Sequence, residues 1–235
     1  MHARALARVA LLLFAAGSVT PAYPRSLAVV TVYSDSTFAS ADWETLDMAN
    51  LCEGGSVTAW QVVEGGNPGA FRYVSHSISA PISSCPSVAW RFHRCTGATF
   101  DAGRQGAILS LDWSCDFREI VPFGPGAKMD FGPAIRQDGQ IFYVPLWGAN
   151  TSWESRGMTG LTPFSFSPLT GTGWPNFTVS GGPIELGFWS GNSNLIPGMI
   201  FRNEAGFDNW RVTLHLDASI TAGRGSWGQL KTLYR

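Results

Sequence analysis

Two stretches close to the end of the sequence decide the fold. The first is Ser180-Gly181-Gly182-Pro183-Ile184-Glu185-Leu186-Gly187-Phe188-Trp189, and the second is Gly206-Phe207-Asp208-Asn209-Trp210-Arg211-Val212-Thr213-Leu214. In both stretches polar and aromatic residues are interleaved and turn residues stand at the edges, as is typical of β-strands. We interpret the two stretches as the strands that close a β-sandwich onto strands formed earlier in the chain.

The composition favours a single all-β domain. The 27 glycines and 10 tryptophans, with only 14% charged residues, suit short strands, many turns and an aromatic core. No long amphipathic helix is evident in the sequence. The net charge of −1 excludes the basic surface that would attract nucleic acid or an anionic membrane.

Residues 1–22 have the features of a secretory signal peptide. Arg4 and Arg8 make a basic start, an apolar run follows from Val9 to Ala16, and Thr20-Pro21-Ala22 offers a small-residue cleavage site. The apolar run is shorter than the roughly 18–20 residues that a membrane span needs. We therefore predict a secreted or cell-surface protein without a membrane span. Cleavage would change the net charge from −1 to −3, because the leader holds two arginines.

Residues 23–217 are predicted to form the sandwich, and residues 218–235 a linker and a short helical tail. Ser226 and Gln229 have the spacing of a capping box, which favours a helix start. Ten residues do not hold a helix alone in water. The tail is therefore expected either to dock Trp227, Leu230 and Tyr234 on the domain or to act as a sorting or attachment tag.

Export permits disulfides, and the four cysteines allow three pairings. They are Cys52, Cys85, Cys95 and Cys115. The segment Ser87–Arg94 alternates like a strand, which would place Cys85 and Cys95 roughly 30 Å apart. A disulfide requires Cα atoms within about 7 Å, so this pairing is disfavoured.

Two other disulfides stay open. Cys52–Cys85 would join the ends of a hairpin centred on Asn67-Pro68-Gly69, and Cys85–Cys115 would join a hairpin centred near Phe100. Zinc binding is the competing interpretation. It is disfavoured because no two cysteines lie two to four residues apart in the sequence.

Runs of β-forming residues between turn signals predict the remaining strands. They are Leu27–Tyr33, Ser56–Glu64, Ala70–Ile78, Val88–His93, Ala107–Trp113, Gln140–Leu146, Ser152–Gly157 and Phe164–Phe166. Gly65–Gly69 and Gln137–Gly139 are strong turn signals. Alternation in Ala70–Ile78 buries either Phe71 and Tyr73 or the opposite set. Roughly ten strands at this spacing predict one two-sheet antiparallel jelly-roll sandwich.

Four segments carry a resemblance to a known family. They are Gly66–Gly69, Gln105–Asp112, Pro175–Ile184 and Gly206–Val212. In their order and spacing they resemble secreted bacterial β-sandwich proteins of the concanavalin A-like, laminin-G-like type, a largely uncharacterised family. The resemblance spans residues 30–216. It implies a jelly-roll sandwich outside the cell or on its surface, often associated with carbohydrate.

The resemblance also implies a structural calcium ion between the first and last strands. Calcium takes carboxylate and carbonyl oxygens as ligands. Asp35, at the start of the sandwich, and Asp208, at the entrance to the last strand, are the matching positions, and Asn209 could add an oxygen. The alternative is that Asp208 and Asn209 shape a turn before the strand.

Carbohydrate binding is the function that we expect. Aromatic rings stack on the apolar faces of sugars, and polar side chains hold the hydroxyls. Tryptophans and asparagines in or beside predicted loops are the candidate ligand-binding residues: Trp147, Trp153, Trp174, Trp189, Asn150 and Asn192. The partner would be an extracellular glycan or another surface polymer. A structural or adhesive surface protein is the alternative.

A polysaccharide hydrolase or lyase is the second alternative. Glycoside hydrolysis needs two carboxylates about 5 Å apart for retention, or about 6.5–9.5 Å apart for inversion. Asp112 and Asp116 lie close in sequence, and Glu119 follows. No nucleophile elbow or zinc-protease motif occurs in the sequence. We therefore predict a protein that is not an enzyme.

Overall fold

The protein is a two-sheet β-sandwich. The computed structural model describes residues 29–82, 84–121, 129–148 and 150–217. The strands are β1 (Val29–Asp35), β2 (Trp43–Leu51), β3 (Gly55–Gly66), β4 (Gly69–Ile78), β5 (Ser87–Phe100), β6 (Ile108–Val121), β7 (Met129–Gln137), β8 (Gln140–Tyr143), β9 (Leu146–Gly148), β10 (Glu154–Leu161), β11 (Ser167–Pro168), β12 (Ile184–Asn194) and β13 (Phe201–Leu216). A four-residue helix, α1 (Ala102–Gln105), and two 3-10 turns at Ser40–Asp42 and Pro163–Ser165 connect them.

The two predicted closing strands lie in the middle of the two sheets. In the six-stranded sheet the order is β10-β6-β13-β4-β3, and β1 also pairs with β13. In the seven-stranded sheet the order is β11-β8-β7-β12-β5-β2, and β9 also pairs with β7. Neighbouring strands in both sheets are antiparallel. The predicted all-β class and two-sheet antiparallel architecture are therefore confirmed.

Most predicted strands are present, with three differences. The turn at Asp138 and Gly139 is confirmed, because both residues have the positive φ that a tight hairpin turn requires. The predicted strand Phe164–Phe166 is wrong, because Pro163–Ser165 forms a 3-10 turn in which the Ser165 amide donates to the Thr162 carbonyl. Strands β2, β7 and β11 were not predicted, and the predicted strand Gln140–Leu146 is divided into β8 and the first residue of β9.

Aromatic rings join the two central strands across the core. Phe188 of β12 and Phe207 of β13 have ring centroids 4.6 Å apart. Trp43 of β2 contacts Phe188 at 5.6 Å and Trp210 of β13 at 5.2 Å. All four rings are buried. Each fully buried side chain of this size stabilises the fold by about 1.5–3 kcal/mol.

Strand β4 turns its polar set inward. Arg72, Val74, His76 and Ile78 are buried, whereas Tyr73 is partly exposed on the outer side. Of the two alternatives that the alternation of β4 allowed, the structure therefore shows the second. Phe71 also lies on the outer side and is covered there by Trp153, with ring centroids 5.5 Å apart.

The inward side chains of β4 take part in a buried polar relay, which consists of Arg72, His93, Ser190 and His76. Arg72 Nε donates to His93 Nδ1 at 3.3 Å, so the proton of a neutral His93 lies on Nε2. His93 Nε2 then donates to Ser190 Oγ at 2.8 Å, and the Ser190 hydroxyl donates to His76 Nε2 at 2.9 Å. Both imidazoles are therefore neutral and have defined tautomers.

The charge state of the relay follows from its surroundings. Burial, and after it the positive charge of Arg91, lowers the pKa of His76 to about 3. Burial, and after it the positive charge of Arg72, lowers the pKa of His93 well below its usual value. Arg72 itself is buried and donates its remaining hydrogen bond to Thr45 Oγ1 at 2.8 Å. The relay therefore holds one cation, Arg72, and two neutral imidazoles.

One disulfide closes the β3–β4 hairpin. Cys52 and Cys85 are bonded, with Cα atoms 6.1 Å apart, whereas Cys95 and Cys115 are free thiols. Cys85–Cys95 was correctly disfavoured, because strand β5 extends through the intervening residues. The pairing that joins the ends of the hairpin is therefore the one present.

The predicted signal peptide, residues 1–22, and the predicted tail, residues 218–235, lie outside the described residues. Within the described part of the chain, no helix has the length and apolar character that crossing a membrane requires.

Candidate functional site

A row of side chains crosses the outer face of the seven-stranded sheet. The strand registers pair Trp147 of β9 with Asp130 of β7, Asp130 with Gly191 of β12, and Gly191 with Trp90 of β5. Residues that are paired across neighbouring strands point to the same side of a sheet. Gly148, which follows Trp147, faces the core, since a Cβ on Gly148 would lie 2.4 Å from the Phe117 ring. Trp147 therefore points to the outer side of the sheet. We call Trp147, Asp130, Gly191 and Trp90 the first row.

The glycine in the first row allows an aromatic ring to lie against the sheet. A Cβ on Gly191 would lie 2.5 Å from the Trp90 ring and 2.6 Å from the Trp189 ring. Trp90 and Trp189 have ring centroids 5.2 Å apart, and Tyr143 of β8 lies 5.0 Å from Trp189 and 5.7 Å from Trp90. Trp90 and Tyr143 are partly exposed, so they offer ring surface above a buried base.

Asp130 is the polar group of the first row. Burial raises the pKa of Asp130 to about 6. Its carboxyl group has no hydrogen-bond or ion-pair partner among the residues that the structure describes. A half-buried carboxyl group of this kind between aromatic rings can accept hydrogen bonds from a ligand, and such perturbed groups concentrate at functional sites.

An ion-pair network borders the same face at its other end. Arg94 of β5 binds Glu44 of β2 at 2.7 Å and also Glu185 of β12, and Arg136 of β7 binds Glu185 through two nitrogens. Burial alone would raise the pKa of Glu185, but hydrogen bonds from Arg136 and Arg94 lower it. These charges are paired with one another, so Asp130 is the carboxyl group of this face that is available to a ligand.

Two of the predicted ligand-binding residues are buried. Trp189 lies inside β12, not in a loop, is 1% exposed, and donates its indole N–H to the Val144 carbonyl at 3.0 Å. Trp189 therefore supports the first row from below and offers almost no ring surface to solvent. Asn192 is two residues further along β12 than Ser190, points inward as Ser190 does, and is buried. Trp189 is covered on the outer side by Trp90 and Tyr143, whereas Asn192 is buried on the inner side of the sheet.

The other predicted residues lie at separate places. Trp147 is 63% exposed and belongs to the first row. Trp174 is 59% exposed and contacts Phe164 with ring centroids 5.1 Å apart, on loops between β10 and β12. Trp153 lies on the outer side of the six-stranded sheet, where its indole donates to the Gly65 carbonyl at 3.1 Å. Asn150 shapes the loop before β10, donating to Glu154 at 2.9 Å.

The three predicted calcium ligands belong to two hydrogen-bond networks. Asp35 accepts bonds from the Thr37 amide and hydroxyl, from the Phe38 amide and from the Trp43 indole, at 2.7–3.1 Å. Burial alone would raise the pKa of Asp35, but these bonds, the one from Trp43 first, lower it. Asp35 therefore holds the turn that follows β1.

Asp208 and Asn209 form the second network. Asp208 accepts from the amides of Asn67 and Asn209, at 2.5 and 2.7 Å, and Asn209 donates to Asp116 at 2.7 Å. Burial, with the nearby carboxylate of Asp116, raises the pKa of Asp208. Within the described ranges, no cluster of three His, Cys, Asp or Glu side chains could hold a metal ion. Carbonyl and water oxygens also serve as calcium ligands, so the calcium ion stays a prediction.

The carboxylates considered for hydrolysis do not converge. Asp112 and Asp116 are four residues apart on β6, which is about 13 Å along the strand. Asp112 binds His215 Nε2 and the Gly160 amide, at 2.8 and 2.7 Å. Glu119 pairs with Ala205, which is buried in the core, so Glu119 points to the other side of the sheet. These three residues therefore do not form the carboxylate pair of a glycosidase.

Two adjoining depressions lie on the outer side of the six-stranded sheet and share Arg211. Their volumes are about 470 and 260 Å³, and serine, threonine and aspartate side chains contribute much of their lining. The tryptophans at their walls, Trp210 and Trp113, are each 1% exposed and offer no ring face. The first row, with its exposed rings, is therefore the stronger candidate for binding a sugar.

The partly exposed aromatic residues Trp90 and Tyr143, together with Asp130, were missed by the sequence analysis. Trp90 lies in the predicted strand Val88–His93. Because side chains alternate between the two sides of a strand, Trp90 lies on the side opposite to His93, which is buried, and this alternation could have identified it. Asp130 lies in β7, a strand that was not predicted. The candidate site therefore lies on strands, whereas the predicted ligand-binding residues were assigned to loops.

Several solved structures match the chain at low sequence identity and with TM-scores below 0.5. A xylan-binding domain from Paenibacillus barcinonensis is 10% identical, with 79% of this chain and 94% of that chain covered and a TM-score of 0.40. A protein of unknown function from Shewanella oneidensis MR-1 is 10% identical, with 80% and 88% covered and a TM-score of 0.41. An exo-beta-agarase is 12% identical, with 75% of this chain and 25% of that chain covered and a TM-score of 0.36. No family model and no curated protein matches the sequence.

Proposed function

We propose that the protein binds a polysaccharide chain on the outer face of its seven-stranded sheet and does not catalyse a reaction on it. The observation that supports this proposal is the first row, in which the half-buried carboxyl group of Asp130, without a hydrogen-bond or ion-pair partner among the described residues, stands between Trp147 and Trp90. Ring faces bind the apolar surfaces of sugars, and a carboxylate accepts hydrogen bonds from their hydroxyl groups. Both kinds of group face the same side of one sheet.

We also propose that the protein works outside the cell. The predicted signal peptide supports this location, and so does the Cys52–Cys85 disulfide, because disulfides form and persist in oxidising compartments. Expression with the leader should place the protein in the exported fraction with Cys52 and Cys85 oxidised. Retention in the reduced cytosolic fraction would contradict the proposed location.

The binding proposal is tested by affinity electrophoresis of the full chain in gels that contain xylan, agarose, β-glucan or mannan. Trp147→Ala should weaken retention at least tenfold, because truncating an exposed aromatic anchor removes its whole contact area. Trp174→Ala is the matched control, since Trp174 has nearly the same exposure and does not belong to the first row. We expect the control to bind as the unaltered protein does.

Two results would contradict the proposal. If Trp174→Ala abolished retention and Trp147→Ala did not, the binding face would be the Trp174 loop. If the folded protein were retained by none of the polysaccharides, carbohydrate binding itself would be wrong. Release of reducing sugar from any of them would contradict the non-catalytic part.

A structural or adhesive role is the second candidate, and one observation favours it. Large apolar side chains are exposed at the end of the sandwich that carries the disulfide: Leu51, Ile82, Leu195, Ile196, Met199 and Ile200. Patches of this kind mark protein contacts. Under this alternative, Leu195→Ser with Ile200→Ser would abolish attachment to the cell envelope while Trp147→Ala would not change it.

A further inference from the structure

A second aromatic row crosses the outer face of the other sheet. The registers pair Trp60 of β3 with Tyr73 of β4, Tyr73 with Gly206 of β13, and Gly206 with Arg118 of β6. The second row therefore repeats the plan of the first, with a glycine of the long central strand inside a row of rings and polar groups. Four strands at about 4.8 Å spacing give it a length of about 14 Å, which several linked sugar rings would cover.

The rings of the second row are held in place by protein contacts. Trp60 and Tyr73 have ring centroids 4.3 Å apart, and Trp60 is 44% exposed. Trp153 lies over Gly206, since a Cβ on this glycine would be 2.8 Å from the Trp153 ring. The hydrogen bond from the Trp153 indole to Gly65 keeps that ring in position. A ligand would therefore meet rings that are already ordered, which lowers the entropic cost of binding.

Polar groups lie along the second row. Arg118 stacks on Trp153, with its guanidinium carbon 4.7 Å from the ring centroid, and also on Phe71 at 5.3 Å. Burial, with the hydrogen bond to Glu204, raises the pKa of Tyr73 to about 12, so Tyr73 keeps its phenolic proton. Arg202 binds Glu204 at 2.6 Å. Hydrogen-bond donors and acceptors for sugar hydroxyls thus flank the rings.

The carboxylates beside the second row are buried or ion-paired, and the guanidinium of Arg118 is stacked on Trp153 and Phe71. Asp116 and Asp208 lie next to it but are buried, and Asp116 accepts bonds from the side chains of Asn67, Asn209 and Ser155. Arg202 and Glu204 neutralise each other. The ordered rings together with mixed polar groups fit a neutral polysaccharide better than a charged one.

We propose that the second row is a second polysaccharide-binding face, so that one sandwich binds two chains and cross-links them. The proposal takes its ligand class from the proposed function but stands on different residues. The two rows lie on opposite outer faces of packed sheets, which are themselves about 10 Å apart, so one chain lying flat on a face does not contact both. Two chains bound back to back are therefore held together by the domain.

The test measures stoichiometry and cross-linking with the polysaccharide that the full chain retains most strongly among xylan, agarose, β-glucan and mannan. Calorimetry with a short oligosaccharide of that polymer should give two sites per protein. Trp60→Ala and Trp147→Ala should each leave one site, and the double variant none. The unaltered protein should raise the viscosity of a dilute polymer solution, and each single variant should bind without raising it.

Two controls separate binding from folding. Trp60→Tyr keeps a stacking ring and should retain two sites. The midpoint of urea unfolding of every variant should differ from that of the unaltered protein by no more than a surface substitution usually causes. Trp174→Ala should retain two sites and the viscosity effect. If Trp60→Ala changes the midpoint, it is replaced by Trp60→Gln, which keeps an N–H donor on a longer side chain than alanine but removes the ring.

The outcomes distinguish the two proposals. One site that Trp147→Ala removes and Trp60→Ala leaves intact would overturn the second face while the proposed function stands. One site that Trp60→Ala removes and Trp147→Ala leaves intact would overturn both bivalency and the first row as the binding face. Absence of retention by all four polysaccharides would overturn both proposals.

Discussion

A single carboxyl group determines how the first row responds to pH. The pKa of Asp130 is raised to about 6, so Asp130 is ionised above this pH and protonated below it. A carboxylate makes hydrogen bonds about twice as strong as those of a neutral group. The chemistry of this one residue therefore adds a pH dependence to a surface that is otherwise aromatic.

We expect the affinity for polysaccharide to fall as the pH falls through about 6. The ionised form of Asp130 accepts sugar hydroxyls, and protonation removes the charge that strengthens these bonds. Dissociation constants at pH 7.5 and pH 5 provide the measurement. Asp130→Asn should bind more weakly at pH 7.5 and lose the pH dependence; a variant that kept the full dependence would show that another group titrates.

The buried relay predicts a second pH effect, on stability. His76 has a pKa of about 3 in the folded protein and about 6.5 when unfolded. Between these values the unfolded chain binds the proton and the folded chain does not. The contribution of His76 to stability is therefore fully present above about pH 6.5 and is lost as the pH falls.

This effect is isolated by comparison with His76→Gln, which cannot titrate. Urea unfolding between pH 4.5 and 6.5 should show that the unaltered protein gains on average about 1.2 kcal/mol per pH unit relative to the variant, because half of the unfolded imidazoles are already deprotonated at pH 6.5. Ser193→Ala, on the exposed side of the same strand as Ser190, should keep the slope of the unaltered protein. Equal slopes in His76→Gln and the unaltered protein would show that His76 is already charged in the fold.

Which face of β4 is buried could not be predicted from the residues alone. Arg72 and His76 point inward, while Phe71 and Tyr73 point outward, which is the reverse of the usual arrangement. The inversion is possible because partners on other strands, Thr45, His93 and Ser190, satisfy the buried polar groups. Those partners are distant in sequence, so the alternation within β4 could not predict which of its faces is buried.

At the scale of elements, the β3–β4 hairpin is closed by the disulfide. Cys52 and Cys85 are 33 residues apart, and the hairpin lies between them. A loop of this length restricts the unfolded chain enough to contribute about 3–4 kcal/mol in the chain-entropy description. The hairpin also carries Trp60 and Tyr73, so its order matters for the second row.

Replacing both cysteines, Cys52→Ser with Cys85→Ser, should lower the free energy of unfolding by about 3–4 kcal/mol in urea titrations. Reductant should not destabilise this double variant further. Cys95→Ser is the control, because Cys95 is a free thiol. A loss no larger than that of the control would mean that the loop is already restricted in the unfolded state.

Strand β7 shows why some elements escaped prediction. Gly132 and Pro133 lie in its middle, and both residues usually argue against a strand. In the structure they stand where the partner of β7 changes from β9 to β8, and the Val144 amide donates to the Pro133 carbonyl there. A Cβ on Gly132 would lie 2.2 Å from the Val144 carbonyl, so only glycine fits. The change of partner strand from β9 to β8 explains the Gly132-Pro133 interruption, and no local sequence pattern predicts that change.

At the scale of the whole molecule, the sandwich could be predicted and the binding faces could not. Turn signals, alternation and the two closing stretches are local features, and they were sufficient for the all-β class and the two-sheet architecture. The first and second rows each assemble side chains from four strands, and their order depends on the sheet topology. Only Trp147 of the first row and Trp153 beside the second row were among the predicted ligand-binding residues.

The predicted calcium ion concerns the whole molecule, because its predicted ligands lie on the first and the last strand of the sandwich. A calcium ion at Asp35 and Asp208 would tie the two networks together and raise the melting temperature. The measurement is a thermal melt after chelation and again after calcium is restored, with Asp208→Asn as the variant that should lose the increase. An identical melting temperature with and without calcium would contradict this prediction.

Strand β13 changes its partner halfway along. Its first part pairs with β4 and its second part with β1, and the register shifts after Asp208, beside Asn209. The β4 part is joined to a hairpin, whereas the β1 part brings together the two ends of the described chain, a contact that costs more loop-closure entropy. The bulge therefore divides β13 into two parts that pair with different strands. Strand β1 pairs with β13 alone and is the first strand of the described chain, so we expect that, if two molecules exchange a strand, the exchanged strand is β1.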